Sequence, residues 1–135
     1  LIAAVPKEDI ERLWPMIKPY IDRVLNHTFG EYNAEDVKEK AINGNIVFFI
    51  VTIGGEVKSV ISAELVEAPQ KKYMNILTTS GKDFDVWIQE AVDTIINVAK
   101  EQGAQDITMV GRKGWLRKME KYGFKHKYTA ITLTL

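Results

Sequence analysis

The sequence has no cysteine, which excludes disulfides and thiolate metal sites and fits a reducing compartment. It has only two histidines, His27 and His126, far apart and with no ligand spacing around either, so no metal site is expected. It has no excess of charge of either sign. Lys plus Arg and Asp plus Glu number 18 each, so any preference for a charged partner must come from a local patch. No apolar run approaches the roughly 20 residues that cross a bilayer. The opening LIAAVPKEDI is too short in apolar length for a secretory signal and lacks a cleavage pattern. Repeats and low-complexity stretches are missing as well. Ser59, Ser62 and Ser80 lack both a Gly-x-Ser-x-Gly setting and a histidine partner, which removes a serine hydrolase.

What is present is an ordinary globular composition, 46% apolar and 27% charged over 135 residues, which predicts one domain spanning 1–135. A chain of that length buries about two-thirds of its unfolded surface, enough for a core without staples. Residues 1–5 form a short apolar run ended by Pro6, an edge strand. Ile10, Leu13, Trp14, Ile17, Ile21 and Leu25 then follow helical spacing, and Pro15 and Pro19 predict that this helix is kinked or split. Asn33 offers an N-cap, with Glu35 and Asp36 in the first turn, for a short helix through Ile42 that Gly44 stops.

Residues 46–53 are apolar on both faces, the mark of a strand covered on both sides. Gly54 and Gly55 signal a two-residue hairpin turn. A strand over 57–66 comes next, broken by Ala68, Pro69 and Gln70, and then a strand over 73–79. Asp83 is placed to cap a helix whose Phe84, Trp87, Ile88, Ala91, Ile95 and Val98 share one face, with Gly103 ending it. A strand over 107–110 runs into the segment GRKGWLRKMEKYGFK at 111–125, a short helix and its exit. Residues 128–135 alternate Thr with apolar residues and predict a final strand. Early hairpins and a late strand–helix–strand crossover give an α/β (α+β) fold: a mixed, mostly antiparallel twisted sheet of about six strands with helices on both faces.

Several groups are candidates for chemistry. The cluster Arg112, Lys113, Arg117, Lys118, Lys121, Lys125 and Lys127 fits an anionic ligand, an acidic protein surface or simply a solvated helix side. No nucleic-acid module accompanies it, so nucleic acid is not the expected partner. Trp115 and Phe124 either line a ligand channel or anchor the short helix on its sheet. Glu64 and Glu67, three apart on one strand, point to opposite faces and do not form an acid/base pair; either alone is a candidate general base, and a surface role is the expected one for both.

The element order, together with residues 106–124, resembles the GNAT family of acetyl-CoA-dependent N-acetyltransferases. Members of that family often close the late strand with a helix reading like A-R-x-L-Y-E-K-L-G-F. Here WLRKMEKYGF at 115–124 matches at Arg117, Glu120, Lys121, Gly123 and Phe124. More narrowly, the chain is similar to a group of GNAT-like proteins frequent in bacteriophages and prophages. The shared features are Trp14-Pro15, Glu35-Asp36-Val37, the Gly-Gly hairpin, Gly81, Asp83 and Trp87 at the start of the long helix, and GRKGWLR at 111–117. The resemblance implies acetyl-CoA as cofactor, an amine as acceptor and a cytoplasmic location, host cytoplasm or virion for a phage-encoded chain.

It also implies a site. In active members a Q/R-x-x-G-x-G/A loop before the long helix holds the CoA pyrophosphate on backbone N–H groups. The corresponding stretch here, TTSGKD at 78–83, has one glycine, and Asp83 places a carboxylate at the same helix end. By this correspondence Thr79, Ser80, Gly81, Lys82 and Arg112 are the cofactor-binding candidates, with capping of the helix as the other use of the same residues. Where many members have a tyrosine that protonates the leaving thiolate, this chain has Met119, which has no proton to give, and Tyr122 lies one turn on. No catalytic residue is thereby assigned. The competing implication is a GNAT-fold module that binds protein without chemistry, as a phage virion or accessory component.

Overall fold

The both-face apolar pattern of residues 46–53 is explained by two separate helical layers. In the computed structural model, which describes residues 1–25, 30–111 and 113–135, this segment is β2 (Ile46–Ile53). The other strands are β1 (Ile2–Ala4), β3 (Glu56–Ala68), β4 (Lys71–Gly81) and β5 (Asp106–Met109). The helices are α1 (Ile10–Leu25), α2 (Ala34–Ile42), α3 (Phe84–Glu101) and α4 (Lys113–Met119). On one face of the sheet Ile46 and Phe48 pack with Ile10, Trp14, Ile17 and Ile21 of α1 and Val37 of α2. On the other, Phe49 and Val51 pack with Trp87, Ile88, Ala91 and Ile95 of α3.

The strands lie in chain order, β1-β2-β3-β4-β5; neighbours are antiparallel except β4 and β5, which are parallel because α3 crosses between them. Gly54 and Gly55 make the β2–β3 turn with φ of 59° and 78°, left-handed values that a two-residue turn of this kind requires. At the start of α2 the Asn33 side chain accepts from the Asp36 N–H at 2.8 Å. The Asp36 carboxylate in turn accepts from the Asn33 N–H at 2.9 Å.

Three sequence expectations are corrected. α1 is not split: one helix runs through Pro15 and Pro19. Burying Ile10, Trp14, Ile17 and Ile21, at about 1.5–3 kcal/mol per large side chain, offsets the ~3 kcal/mol that an internal proline costs. Among the described residues the sheet has five strands, not six. Residues 128–135 stay outside it, with Tyr128, Ile131, Leu133 and Leu135 almost wholly exposed. Alternation gives a segment two faces, but it does not supply the neighbouring backbone that a strand needs. Finally, β4 does not end at Thr79 but runs on to Gly81, in register with Ser59 of β3.

Candidate functional site

The parallel pairing of β4 and β5 covers four residue pairs, from Tyr73 with Asp106 to Ile76 with Met109. There it stops, for a reason visible one strand over. Ser62 of β3 pairs with Thr78 and Ala63 pairs with Ile76, so Leu77 is an extra residue on β4. Such a bulge bends the strand that carries it. β4 then runs beside β3 to Gly81, whereas β5 ends at Met109. The two diverge, leaving a cleft of about 230 Å³ lined by Leu77, Thr79 and Ser80 of β4, by Met109, Val110 and Gly111, by Arg23 of α1 and by Trp115 of α4.

The far end of β4 is held tightly. The Ser62 and Thr78 hydroxyls, both buried, share a hydrogen bond of 2.5 Å. Ser59 donates to the Ser80 carbonyl at 2.6 Å, and the Lys82 N–H donates to the Lys58 carbonyl at 2.8 Å. Gly81 has φ of 144°, and a Cβ there would lie 2.0 Å from the Lys58 carbonyl oxygen, so only glycine fits this approach. The indole N–H of Trp87 donates to the Lys82 carbonyl at 2.6 Å, which ties the first turn of α3 back to the junction.

Asp83 occupies the N-cap position of α3 with left-handed backbone angles of 58° and 37°, and its side chain makes no capping hydrogen bond. The carboxylate instead lies 3.1 Å from the Lys58 ammonium, raising the Lys58 pKa through that hydrogen bond. Side-chain capping by Asp83 is therefore corrected: an ammonium within reach is the stronger partner for a carboxylate.

Of the cofactor-binding candidates, the structure brings Thr79 and Ser80 together in the cleft. Gly81 and Lys82 are exposed at the β4–α3 junction just beyond it. Arg112 lies outside the described residues, as does His27. Arg23 carries the only charge among the described lining residues, and nothing in the sequence of its helix marks it; its guanidinium stacks on Tyr20 at 5.0 Å.

The α4 segment serves both as anchor and as wall. Trp115 makes an edge contact with Phe84 at 5.2 Å, Phe84 makes another with Trp87 at 5.3 Å, and Trp115 also lines the cleft. Met119 is buried in the α3-side core, and Tyr122 packs against the same cluster rather than lining the cleft. Lys118 of the basic cluster lies over the Phe84 and Trp115 rings at 5.2 and 5.5 Å.

Glu64 is not a surface residue. Its carboxylate, 14% exposed, lies 3.0 Å from the Lys40 ammonium and accepts from the Tyr32 hydroxyl at 3.0 Å, fastening α2 and the chain before it to β3. Burial, with the Glu64 hydrogen bond, raises the Tyr32 pKa; the Glu64 hydrogen bond raises that of Lys40 against the opposing effect of burial. Opposite Glu64 in register is Asn75, and opposite Asn75 is Thr108, whose hydroxyl donates to the Asn75 carbonyl oxygen at 2.9 Å. A row of polar side chains thus crosses the sheet beside the closed end of the cleft. Glu67 pairs with Lys72 at 3.4 Å and is exposed, as expected. Among the described residues no cluster of three or more His, Asp or Glu could hold a metal ion, and no helix is long and apolar enough to cross a membrane.

A five-stranded sheet splayed between parallel neighbours, with α1 and α2 on one face and α3 on the other, is the GNAT fold, and solved structures agree. The chain superposes on a predicted acetyltransferase of Clostridium acetobutylicum, crystallised with acetyl-CoA, with a TM-score of 0.71 and 16% identity over 99% of this chain and 95% of that one. Glucosamine-6-phosphate N-acetyltransferase of Arabidopsis thaliana gives 0.68 and 15% over 99% and 97%. An aminoglycoside acetyltransferase from an uncultured soil metagenomic sample, in complex with sisomicin, gives 0.69 and 11% over 100% and 95%. No family model and no curated protein matches the sequence. Identities this low make the likeness one of fold.

Proposed function

We propose that the protein is an N-acetyltransferase that takes an acetyl group from acetyl-CoA and passes it to an amine. The observation that carries this is the divergence of β4 and β5. It leaves strand-end backbone and two hydroxyl-bearing residues, one on each face of the sheet, along a cleft at the start of a long helix. Support comes from the fold shared with acetyltransferases, one of them crystallised with acetyl-CoA. The donor set fits the cofactor in kind. Thr79 and Ser80 line the cleft with hydroxyl-bearing side chains from the two faces of β4, and Gly81 and Lys82 offer a side-chain-free backbone and an ammonium at the α3 start, where the helix dipole favours an anion. Bound there, acetyl-CoA supplies an activated acetyl thioester.

The chain's own contribution is chiefly positional. The cleft's apolar walls, Leu77, Met109 and Trp115, exclude water, and alignment of two reactants alone is worth several orders of magnitude in rate. Met119 donates no proton, so a hydrogen bond to a leaving thiolate would come from the lining donors, the Thr79 and Ser80 hydroxyls, the Arg23 guanidinium or the Trp115 indole. The acceptor enters from the α1 and α2 face, where Arg23 and the Asn75–Thr108 row lie.

Calorimetric titration with acetyl-CoA and with CoA tests the proposal. Binding is expected for both, and Ser80→Trp, which fills the cleft, is expected to abolish it. No heat at millimolar ligand would remove the cofactor. A second reading, a non-catalytic protein-binding module in a phage virion or accessory role, draws on the carboxylates of Asp83 and Asp85 at the α3 start, which oppose a bound pyrophosphate. Acetylation of a small amine or peptide by the purified protein would refute it.

A further inference from the structure

The Arg23 guanidinium, the one charged group among the described residues that line the cleft, has no carboxylate to hold it. Among the described residues it enters no ion pair, and the stretches outside them, 26–29 and 112, contain no Asp or Glu. The carboxylates around it are already taken. Asp22, its neighbour in α1, lies 2.8 Å from the Lys18 ammonium. On the sheet face that α1 and α2 cover, Glu64 is held by Lys40 and Tyr32, and Asp106, two residues before Thr108, is held by Lys71. A cation in the last turn of α1 suits the helix dipole, but the dipole does not require its head to lie along the cleft. That head is positioned from below. The Tyr20 hydroxyl donates to the Val57 carbonyl at 3.3 Å, which ties the ring to β3, and the guanidinium lies 5.0 Å over the ring. An arginine held over a ring keeps the N–H fork at its edge for an oxyanion.

We propose that Arg23 selects the acceptor: an amine that also carries a carboxylate or a phosphate, held by the guanidinium while the amine end reaches into the cleft. This rests on the acetyltransferase reading above and narrows its substrate class. A cleft with low-dielectric walls, here Leu77 and Met109, focuses the field of the single cation on whatever enters. That field attracts an anionic group and disfavours a polyamine or other polycation. The rest of the polar row on this face cannot compensate a second ammonium, because Asn75 and Thr108 are neutral and bonded to each other at 2.9 Å. Ser80, on the same side of the opening as Arg23, adds a neutral donor for the anion.

Two matched pairs of acceptors test it: glycylglycine against glycylglycinamide, and phosphoethanolamine against ethanolamine. In each pair only the first member carries the anion. With acetyl-CoA and detection of the released thiol, kcat/KM should be at least about tenfold higher for the anionic member of one pair or both. Which pair responds separates carboxylate from phosphate. Arg23→Gln should bring the ratio to about one through the acceptor KM, and comparing ratios between parent and variant cancels differences in amine basicity. Arg23→Lys should restore part of the preference, since it keeps the charge and loses the fork. Arg23 is exposed, so both variants should keep the parent circular dichroism spectrum. In the parent saturated with CoA, the anionic member should also shift the Arg23 Nε–H signal in a nitrogen-15 spectrum, and the neutral member should not. Should no acceptor turn over, that shift alone decides. Preference for a neutral or cationic amine, equal shifts from both members, or none from either would overturn the proposal while the acetyltransferase reading stands. So would an Arg23→Gln loss that falls on the acetyl-CoA KM, or equally on kcat for every acceptor, which would assign Arg23 to the cofactor or to the leaving thiolate. A parent that binds no acetyl-CoA would remove the reading itself, and the proposal with it.

Discussion

Gly81→Ala is the sharpest perturbation the junction offers. The added Cβ meets the Lys58 carbonyl oxygen at 2.0 Å and the Ser59 Cα at 2.6 Å, both backbone atoms of β3 that no side-chain rotation can move aside. The φ of 144° is itself one that an L-residue adopts at a cost of about 1–3 kcal/mol. Relief requires β3 and β4 to part, weakening the Lys82 N–H to Lys58 and Ser59 to Ser80 hydrogen bonds, each worth about 1 kcal/mol net. Together these give a loss of about 3–5 kcal/mol. For 135 residues the unfolding entropy is about 0.3 kcal/mol per degree, so Tm should fall by about 10 °C or more. Thermal and urea unfolding monitored by circular dichroism would measure it. Gly114→Ala is the control. Gly114 is exposed, has helical backbone angles and has empty space where its Cβ would go, so alanine should stabilise by about 0.4–1 kcal/mol. A Gly81→Ala protein within about 0.5 kcal/mol of the parent would refute the close approach of β3 to this residue, and with it the rigid junction before α3.

The same geometry sets three more outcomes. Ser62→Ala leaves the buried Thr78 hydroxyl without its partner and should cost about 1–2 kcal/mol; S62A/T78V should cost less than the two single changes summed, by urea unfolding. Tyr32 and Lys40 both have folded pKa values raised above their ordinary 10.0 and 10.5, so their stabilising contribution is complete below those values and is lost as pH rises through the higher folded ones. Stability should therefore decline above about pH 10, and Glu64→Gln should make that decline shallower in urea titrations at stepped pH. Asp83→Asn removes a negative charge from the start of α3 and should tighten acetyl-CoA binding about two- to fivefold in calorimetry; weaker binding would mean that the carboxylate helps to hold the ligand.

The elements that the sequence announces are those whose signals are local. The Asn33–Asp36 capping box, the Gly54-Gly55 turn and the apolar face of α3 each need only a few neighbouring residues, and each forms where the pattern places it. What escaped depends on partners distant in the chain. Proline predicts a break in α1, but whether it breaks depends on how much β2 and β3 bury on the other side. Asp83 has the chemistry of a cap, and Lys58, 25 positions earlier, takes its carboxylate instead. Glu64 looks like a surface carboxylate until α2 brings Lys40, and the preceding chain Tyr32, within 3.0 Å. Residues 128–135 have the alternation of a strand, but alternation is silent about whether an edge takes them up.

The cleft has its cause in the register of β4, which the sequence alone does not show. Along β4, Met74 and Ile76 face α3 as strict alternation requires, and the next inward residue should be Thr78. Leu77 falls on the α1 and α2 side as alternation requires, but Thr78 lies on that side too, bonded to Ser62. Leu77 and Thr78, successive residues on one face, are this change of parity: one residue too many for the register with β3. It falls at Ile76, the last residue that β5 pairs with. One inserted residue therefore both ends the parallel ladder and resets the faces beyond it, with Thr79 on the α3 side and Ser80 on the α1 and α2 side of the opening it creates. Deleting Leu77 would restore unbroken pairing of β3 with β4, and the same restored register would let β4 and β5 close over the cleft. The fold would persist without the cleft, which separates the GNAT architecture from the opening that one residue makes in it.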